Sequence, residues 1–156
     1  MPIGAVIGKQ SVMDGINPGT IGGTFLGNPV CCAAAVATID YMTEIDLNEK
    51  GKRVGEIVRS RFEALKKKFP QHVTDVRGLG AMMAFELSHD GDIQKPNEEL
   101  AKQLIQRCYE KGLIIISAGV NANIIRVLSP LVIEEKDLNR GLDIIEESLS
   151  ELTIRG

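Results

Sequence analysis

Two stretches of this 156-residue sequence carry residue types suited to binding an anion. The first is GTIGGTFLGNP, in which Gly22 and Gly23 precede Thr24. Glycines let a backbone come close to a ligand because they carry no Cβ, and free N–H groups beside a helix start suit a phosphate. Thr24 adds a hydroxyl to that loop. An ordinary tight loop before a helix explains the same residues, and from the pattern alone it is the favoured interpretation.

The second stretch is NIIRVLSPLVI, where Arg126 lies among apolar residues typical of a strand. A buried arginine in such a strand needs a partner, and its planar guanidinium pairs well with a carboxylate. Strand side chains alternate between two faces, so the alternative is an arginine on the solvent-exposed face. Arg77, just before Gly78-Leu79-Gly80, is a third candidate, for which a simple loop position is the better explanation.

Other catalytic constellations are missing from the sequence pattern. The three cysteines and two histidines have no metal-ligand spacing, so we expect no metal site. The aspartates form no recognisable acid–base pair, and no serine or cysteine has a base nearby in the sequence. We therefore assign no catalytic residue to this chain.

Composition limits the classes of partner. The net charge of −3 argues against nucleic acid or an anionic membrane as the main partner. No apolar run approaches the ~20 residues of a membrane span. An odd number of cysteines without a signal peptide is typical of the reducing cytoplasm, where we expect the protein to be located.

The order of predicted elements indicates an α+β fold. Residues 2–8 read as a short buried strand, and Asn28-Pro29 begins a helix of small residues. From residue 47 the order is one helix, two strands, one helix, two strands and a last helix. This order predicts a small antiparallel sheet with helices on one face. The apolar stripe of the first of these helices is Val54, Ile57, Val58, Phe62, Leu65 and Phe69.

Four stretches taken together carry a family resemblance. MPIGAVIGK, IGGTFLGNPVCCAAAVATID, VRGLGAMMAFEL and NIIRVLSPLVIEEKDLNRGLDIIEESL occur in order and cover nearly the whole chain. They resemble the C-terminal part of class III aminotransferases, fold type I enzymes that depend on pyridoxal 5′-phosphate (PLP), and within them the 4-aminobutyrate branch. The four stretches in sequence are more specific than the glycine-rich loop alone.

The resemblance implies roles for three residues. Thr24, with Gly23 in the same loop, would bind the PLP phosphate in the active site of the partner subunit of a homodimer. Arg126 would bind a substrate carboxylate. The lysine that binds PLP would lie upstream of Met1, which would then be an internal methionine, and Lys9 would not be that lysine. Residues 1–44 would be the end of the large PLP-binding domain, and residues 45–156 the small C-terminal domain.

The implied reaction moves an amino group from 4-aminobutyrate, or a similar ω-amino acid, to 2-oxoglutarate. Because the PLP-binding lysine is absent, we expect this chain alone to be inactive. Two alternatives stay open. One is a free-standing binding or dimerisation module, and the other is one half of a split ornithine- or acetylornithine-type aminotransferase.

Overall fold

The computed structural model describes residues 2–17, 19–20 and 22–153. The chain divides into two compact units, Met1–Asp46 and Leu47–Gly156. Met1 itself, which the sequence predicts to be an internal methionine, lies outside the described residues, as do Pro18 and Ile21 of the predicted loops.

The first unit contains two helices, α1 (Gln10–Met13) and α2 (Pro29–Glu44). The predicted opening strand is wrong: residues 2–9 have no regular structure, and Val6 and Ile7 are 84% and 97% exposed. A strand is stable only when its N–H and C=O groups pair with a neighbour, and the described residues of this unit supply no such neighbour. None of its described residues is buried.

Helix α2 begins as the sequence predicts. The Asn28 Oδ1 accepts hydrogen bonds from the Val30 and Cys31 backbone N–H groups, at 3.0 and 3.2 Å. Pro29 occupies the first helical position, where its missing N–H costs no hydrogen bond. This capping fixes the start of α2 immediately after the glycine-rich loop.

The second unit is built on a four-stranded antiparallel sheet in the order β1-β2-β4-β3. The strands are β1 (Val73–Leu79), β2 (Met82–Leu87), β3 (Ile116–Ala118) and β4 (Ile124–Val127). The last strand is shorter than predicted, since residues 128–133 leave the sheet. Pro130 has no N–H to donate to a neighbouring strand, which accounts for the early end.

Three helices complete the second unit: α3 (Leu47–Lys68), α4 (Glu98–Glu110) and α5 (Glu135–Thr153). Helices α3 and α4 pack on the sheet, and α5 packs against both of them. Met83, Phe85 and Ile125 face these helices and are fully buried. The ring of Phe62 on α3 meets the Phe85 ring edge to face, with 4.8 Å between centroids. The predicted α+β architecture is confirmed, with α3, α4 and α5 on the sheet face that carries Met83, Phe85 and Ile125.

Candidate functional site

Residues 22–27 of the glycine-rich loop are exposed in the structure. Residues 24–27 form a turn, and the Leu26 N–H donates to the Gly23 carbonyl at 3.1 Å. Thr24 is exposed, and a Cβ built on Gly22 would meet nothing within 4 Å. The loop therefore leaves room for an anion to approach its backbone and the Thr24 hydroxyl.

The start of α2 offers less to an anion than the sequence predicts. Asn28 already accepts from two of the first N–H groups of the helix, those of Val30 and Cys31. An anion bound here would therefore rely on the loop N–H groups and Thr24, with the helix dipole as a weaker contribution.

Arg126 lies on β4 with its neighbour Ile125 fully buried against the helices. Because side chains alternate along a strand, Arg126 belongs to the sheet face opposite that of Ile125. It pairs with Ala84 of β2 on one side and Ile116 of β3 on the other. The residue is half-buried, and its Nε is buried without a hydrogen-bond partner. Among the described residues it makes no ion pair with an aspartate or glutamate.

Arg77 is placed differently from the loop position that the sequence favours. It lies within β1 and pairs with Ala84 from the other side. Its guanidinium donates to Asp75 and to Glu86 Oε2, the latter at 2.7 Å. The hydrogen bond to Asp75 is the main cause that raises the pKa of Arg77, and the one to Glu86 adds to it. Arg77 is thus already paired within the sheet, whereas Arg126 is not.

Glu86 and Asn123 are site neighbours that sequence reasoning missed. Glu86 is only 15% exposed, and its second oxygen, Oε1, accepts from the Asn123 Nδ2 at 3.3 Å. Asn123 is fully buried, and its Nδ2 also donates to the Leu87 carbonyl at 2.7 Å. The signal available in the sequence was a single carboxylate inside the apolar strand AMMAFELS.

A cavity of about 470 Å³ borders Arg126. Its walls are mainly apolar, and the Ser129 Oγ on its rim is buried without a hydrogen-bond partner. A cation beside an apolar cavity suits a ligand that has a carboxylate and a hydrocarbon chain. The lining residues include Ile114, Ile116, Leu128, Leu138, Leu142 and Ile145.

The structure adds no metal or membrane feature to these sites. Within residues 2–17, 19–20 and 22–153, no group of three or more His, Cys, Asp or Glu side chains is placed to hold a metal ion. In the same ranges, no helix has the length and apolar character needed to span a bilayer. Thr24 and Arg126 belong to different units of the chain, Met1–Asp46 and Leu47–Gly156.

The exposed glycine-rich loop, the α+β second unit and the unpaired arginine agree with one family. The model of the class-III aminotransferase family matches residues 1–149, and the chain belongs to that family.

Two curated relatives illustrate the match. The chain is 39% identical over 150 residues to 4-aminobutyrate aminotransferase of Escherichia coli, covering 96% of this chain and 35% of the relative. It is 42% identical over 151 residues to 5-aminovalerate aminotransferase of Pseudomonas aeruginosa, covering 97% of this chain and 35% of the relative. The chain thus spans about a third of the length of these relatives.

Solved structures of aminotransferases are also similar to this chain. Acetylornithine aminotransferase from Elizabethkingia anophelis is 36% identical with a TM-score of 0.75, over 90% of this chain and 34% of that one. A transaminase from the marine bacterium Virgibacillus is 27% identical with a TM-score of 0.80, over 90% of this chain and 32% of that one.

Proposed function

We propose that this chain is the C-terminal part of a PLP-dependent aminotransferase. The complete enzyme moves an amino group from 4-aminobutyrate, or a similar ω-amino acid, to 2-oxoglutarate. The observation that carries this proposal is the half-buried Arg126, whose Nε has no partner among the described residues. The proposal is supported by relatives that are named for 4-aminobutyrate and 5-aminovalerate.

Arg126 binds the carboxylate of the amino acid or oxo acid. A buried N–H without a hydrogen bond is unfavourable, and a carboxylate satisfies it with a charge-assisted bond. The backbone at Arg126 pairs with β2 on one side and β3 on the other, so the strand that carries the guanidinium is already ordered before the substrate binds. The apolar cavity beside it accommodates the methylene groups between the two ends of an ω-amino acid.

Thr24 and Gly23 hold the phosphate of PLP. The exposed Thr24 hydroxyl and the open backbone of the loop fit a phosphate group. When bound, PLP supplies the electron sink that makes transfer of the amino group possible. The lysine that binds PLP is supplied by residues outside this chain, so the chain alone is inactive.

The two parts of the chain belong to different domains of the whole enzyme. Residues 1–44 complete a large PLP-binding domain, and residues 45–156 form the small domain. The separation of the chain into units at Asp46 supports this division. The exposed apolar side chains of the first unit, including Ile7 and Phe25, support a buried position for it in the whole enzyme. The homodimer and the cytoplasmic location remain predictions.

A second candidate is an acetylornithine-type aminotransferase, because a solved enzyme of that name is 36% identical to this chain. Both candidates share the phosphate loop and the arginine, and they differ in the amino donor. A free-standing binding or dimerisation module is the third possibility.

The test is a donor panel with the full-length protein that contains these residues. We expect glutamate to form from 2-oxoglutarate with 4-aminobutyrate or 5-aminovalerate as the donor. Faster transfer from N-acetylornithine would favour the second candidate. No transfer from any donor, in a protein that retains PLP, would contradict an aminotransferase function and favour the module.

A further inference from the structure

The Glu86 carboxylate lies where it can compete with a substrate carboxylate for the Arg126 guanidinium. Ala84 pairs directly with Arg126 across β2 and β4, so Glu86, two residues further along β2, is its diagonal neighbour on the same face. Diagonal neighbours in an antiparallel pair have Cα atoms roughly 7–8 Å apart, a span that glutamate and arginine side chains can bridge. Nothing in the strand pairing itself prevents an ion pair between them.

The structure holds Glu86 in another arrangement. Arg77 on β1 donates to Oε2 at 2.7 Å, and Asn123 donates to Oε1 at 3.3 Å. Asn123 is in turn fixed by its 2.7 Å hydrogen bond to the Leu87 carbonyl and by full burial. Both carboxylate oxygens therefore have donors other than Arg126.

We propose that Arg77 is a positioning residue that keeps Glu86 away from Arg126, so that Arg126 stays available for the substrate carboxylate. This inference rests on the proposed function, which assigns the carboxylate to Arg126. Arg77 acts through Glu86 and does not itself touch the substrate.

The charges on this face of the sheet support a positioning role for Arg77. Arg77 forms ion pairs with both Asp75 and Glu86, whereas Arg126 on the same face has no described carboxylate partner. Removing the Arg77 guanidinium leaves two carboxylates without their cation. Arg126 is then the cation on β4 that Glu86 can reach, and a half-buried carboxylate without a cationic partner is unfavourable.

The experiment compares variants of the full-length enzyme with 4-aminobutyrate and with butylamine, which has no carboxylate. We expect Arg77→Ala to raise the KM for 4-aminobutyrate roughly threefold to tenfold, because Arg126 is then free in only a fraction of the molecules. The kcat and the reaction with butylamine should stay near the wild-type values. Arg77→Ala/Glu86→Gln should return the KM to within about twofold of wild type, because the competing charge is gone.

Arg59→Ala is the matched control. Arg59 donates to the Gly78 carbonyl at the end of β1 and makes no described contact with Glu86. Its removal tests whether the loss of any arginine near this hairpin has the same effect, and we expect the KM to be unchanged. An equal rise in KM for Arg59→Ala would show a general structural effect and overturn the inference.

The Arg126→Ala variant distinguishes a failure of the positioning role of Arg77 from a failure of the proposed function. If Arg126→Ala raises the KM for 4-aminobutyrate but Arg77→Ala does not, Arg77 has no positioning role and the proposed function stands. If the double variant is as impaired as Arg77→Ala, Glu86 is not the competitor and the inference fails. If Arg126→Ala itself has no effect, the assignment of the carboxylate fails and this inference fails with it.

Discussion

Arg77 and Arg126 occupy the same cross-strand row of the sheet, one on each side of Ala84. Arg77 is paired with Asp75 and Glu86, whereas Arg126 has a buried Nε without a partner. Two residues of the same type thus have different roles on one sheet face. The first is paired with carboxylates within the protein, and the second is the residue that we propose binds the substrate carboxylate.

The contact between α3 and the β1–β2 turn predicts that a side chain at Gly55 destabilises the fold. A Cβ at this position would lie 2.1 Å from the Gly80 carbonyl oxygen, far inside van der Waals contact. We expect Gly55→Ala to lower the free energy of unfolding by about 1–3 kcal/mol, since the helix must shift away from the turn. Denaturation in urea measures this difference.

Gly51→Ala, one turn earlier in α3, is the matched control. Its Cβ would meet Leu131 at 3.5 Å, an ordinary contact. Alanine is the better helix former by about 1 kcal/mol, so we expect this variant to be as stable as the wild type or more stable. Equal destabilisation by both substitutions would show that the close approach to Gly80 is not the cause.

Ion pairs between α3 and α5 predict a pH dependence of stability at Glu146. Its carboxylate accepts from Lys68 at 2.7 Å and from Arg61 at 3.3 Å. The hydrogen bond from Lys68 is the main cause that lowers the pKa of Glu146 below its ordinary value of 4.5. A carboxyl group with a lower pKa in the folded state stabilises the fold above its unfolded pKa, and that stabilisation is lost as the pH falls through the folded value.

Glu146→Gln should therefore be less stable than the wild type at pH 7, and the difference should shrink between roughly pH 5 and pH 3. Urea denaturation at several pH values measures it. The control is Glu56→Gln, an exposed position on α3 with no ion pair among the described residues. A difference at Glu146 that does not change with pH would rule out the ion pairs as its source.

Thr24 predicts a specific effect on cofactor retention. In the full-length enzyme, Thr24→Val should weaken PLP binding roughly tenfold to a hundredfold, as expected for the loss of one hydrogen bond to a charged group. Equilibrium dialysis with PLP measures the affinity. Thr38→Val makes the same chemical change within α2, where the hydroxyl donates to the Ala34 carbonyl, and it should bind PLP normally. Unaltered affinity in Thr24→Val would remove this residue from the phosphate site.

The proposal that the PLP-binding lysine is supplied by residues outside this chain predicts the outcome of chemical trapping. Incubation of the 156-residue chain with PLP and then borohydride should give no stoichiometric adduct on a single lysine. Scattered partial labelling of exposed lysines is the expected background. Peptide mapping distinguishes the two outcomes. Full labelling of one lysine, Lys9 for example, would show that the chain has a PLP-binding lysine of its own.

Local patterns predicted most of the second unit. The apolar stripe of α3 placed Val58, Phe62 and Leu65 in the core, where they are buried. Helix α4 also begins through a short-range contact, since the Asn97 Oδ1 accepts from the Leu100 N–H at 2.9 Å. These features depend on residues a few positions apart, so their signal is contained in short stretches of sequence.

Features that depend on distant residues were predicted less well. The strand expected at residues 2–8 needs a neighbouring strand, which the described residues of its unit do not provide. For Arg77 a loop position was the favoured explanation, yet the residue belongs to β1. The hydrogen bond between Glu86 and Asn123 joins residues 37 positions apart, so only the folded sheet shows that Asn123 donates to the Glu86 carboxylate.

The most direct test of the central claim is substrate discrimination by Arg126 in the full-length enzyme. The measurement is the ratio of kcat/KM for 4-aminobutyrate to kcat/KM for butylamine, in the wild type and in Arg126→Ala. We predict that the variant lowers this ratio roughly tenfold to a hundredfold, because only the carboxylate substrate loses a charged hydrogen bond. An unchanged ratio would contradict the assignment of Arg126 as the residue that binds the substrate carboxylate.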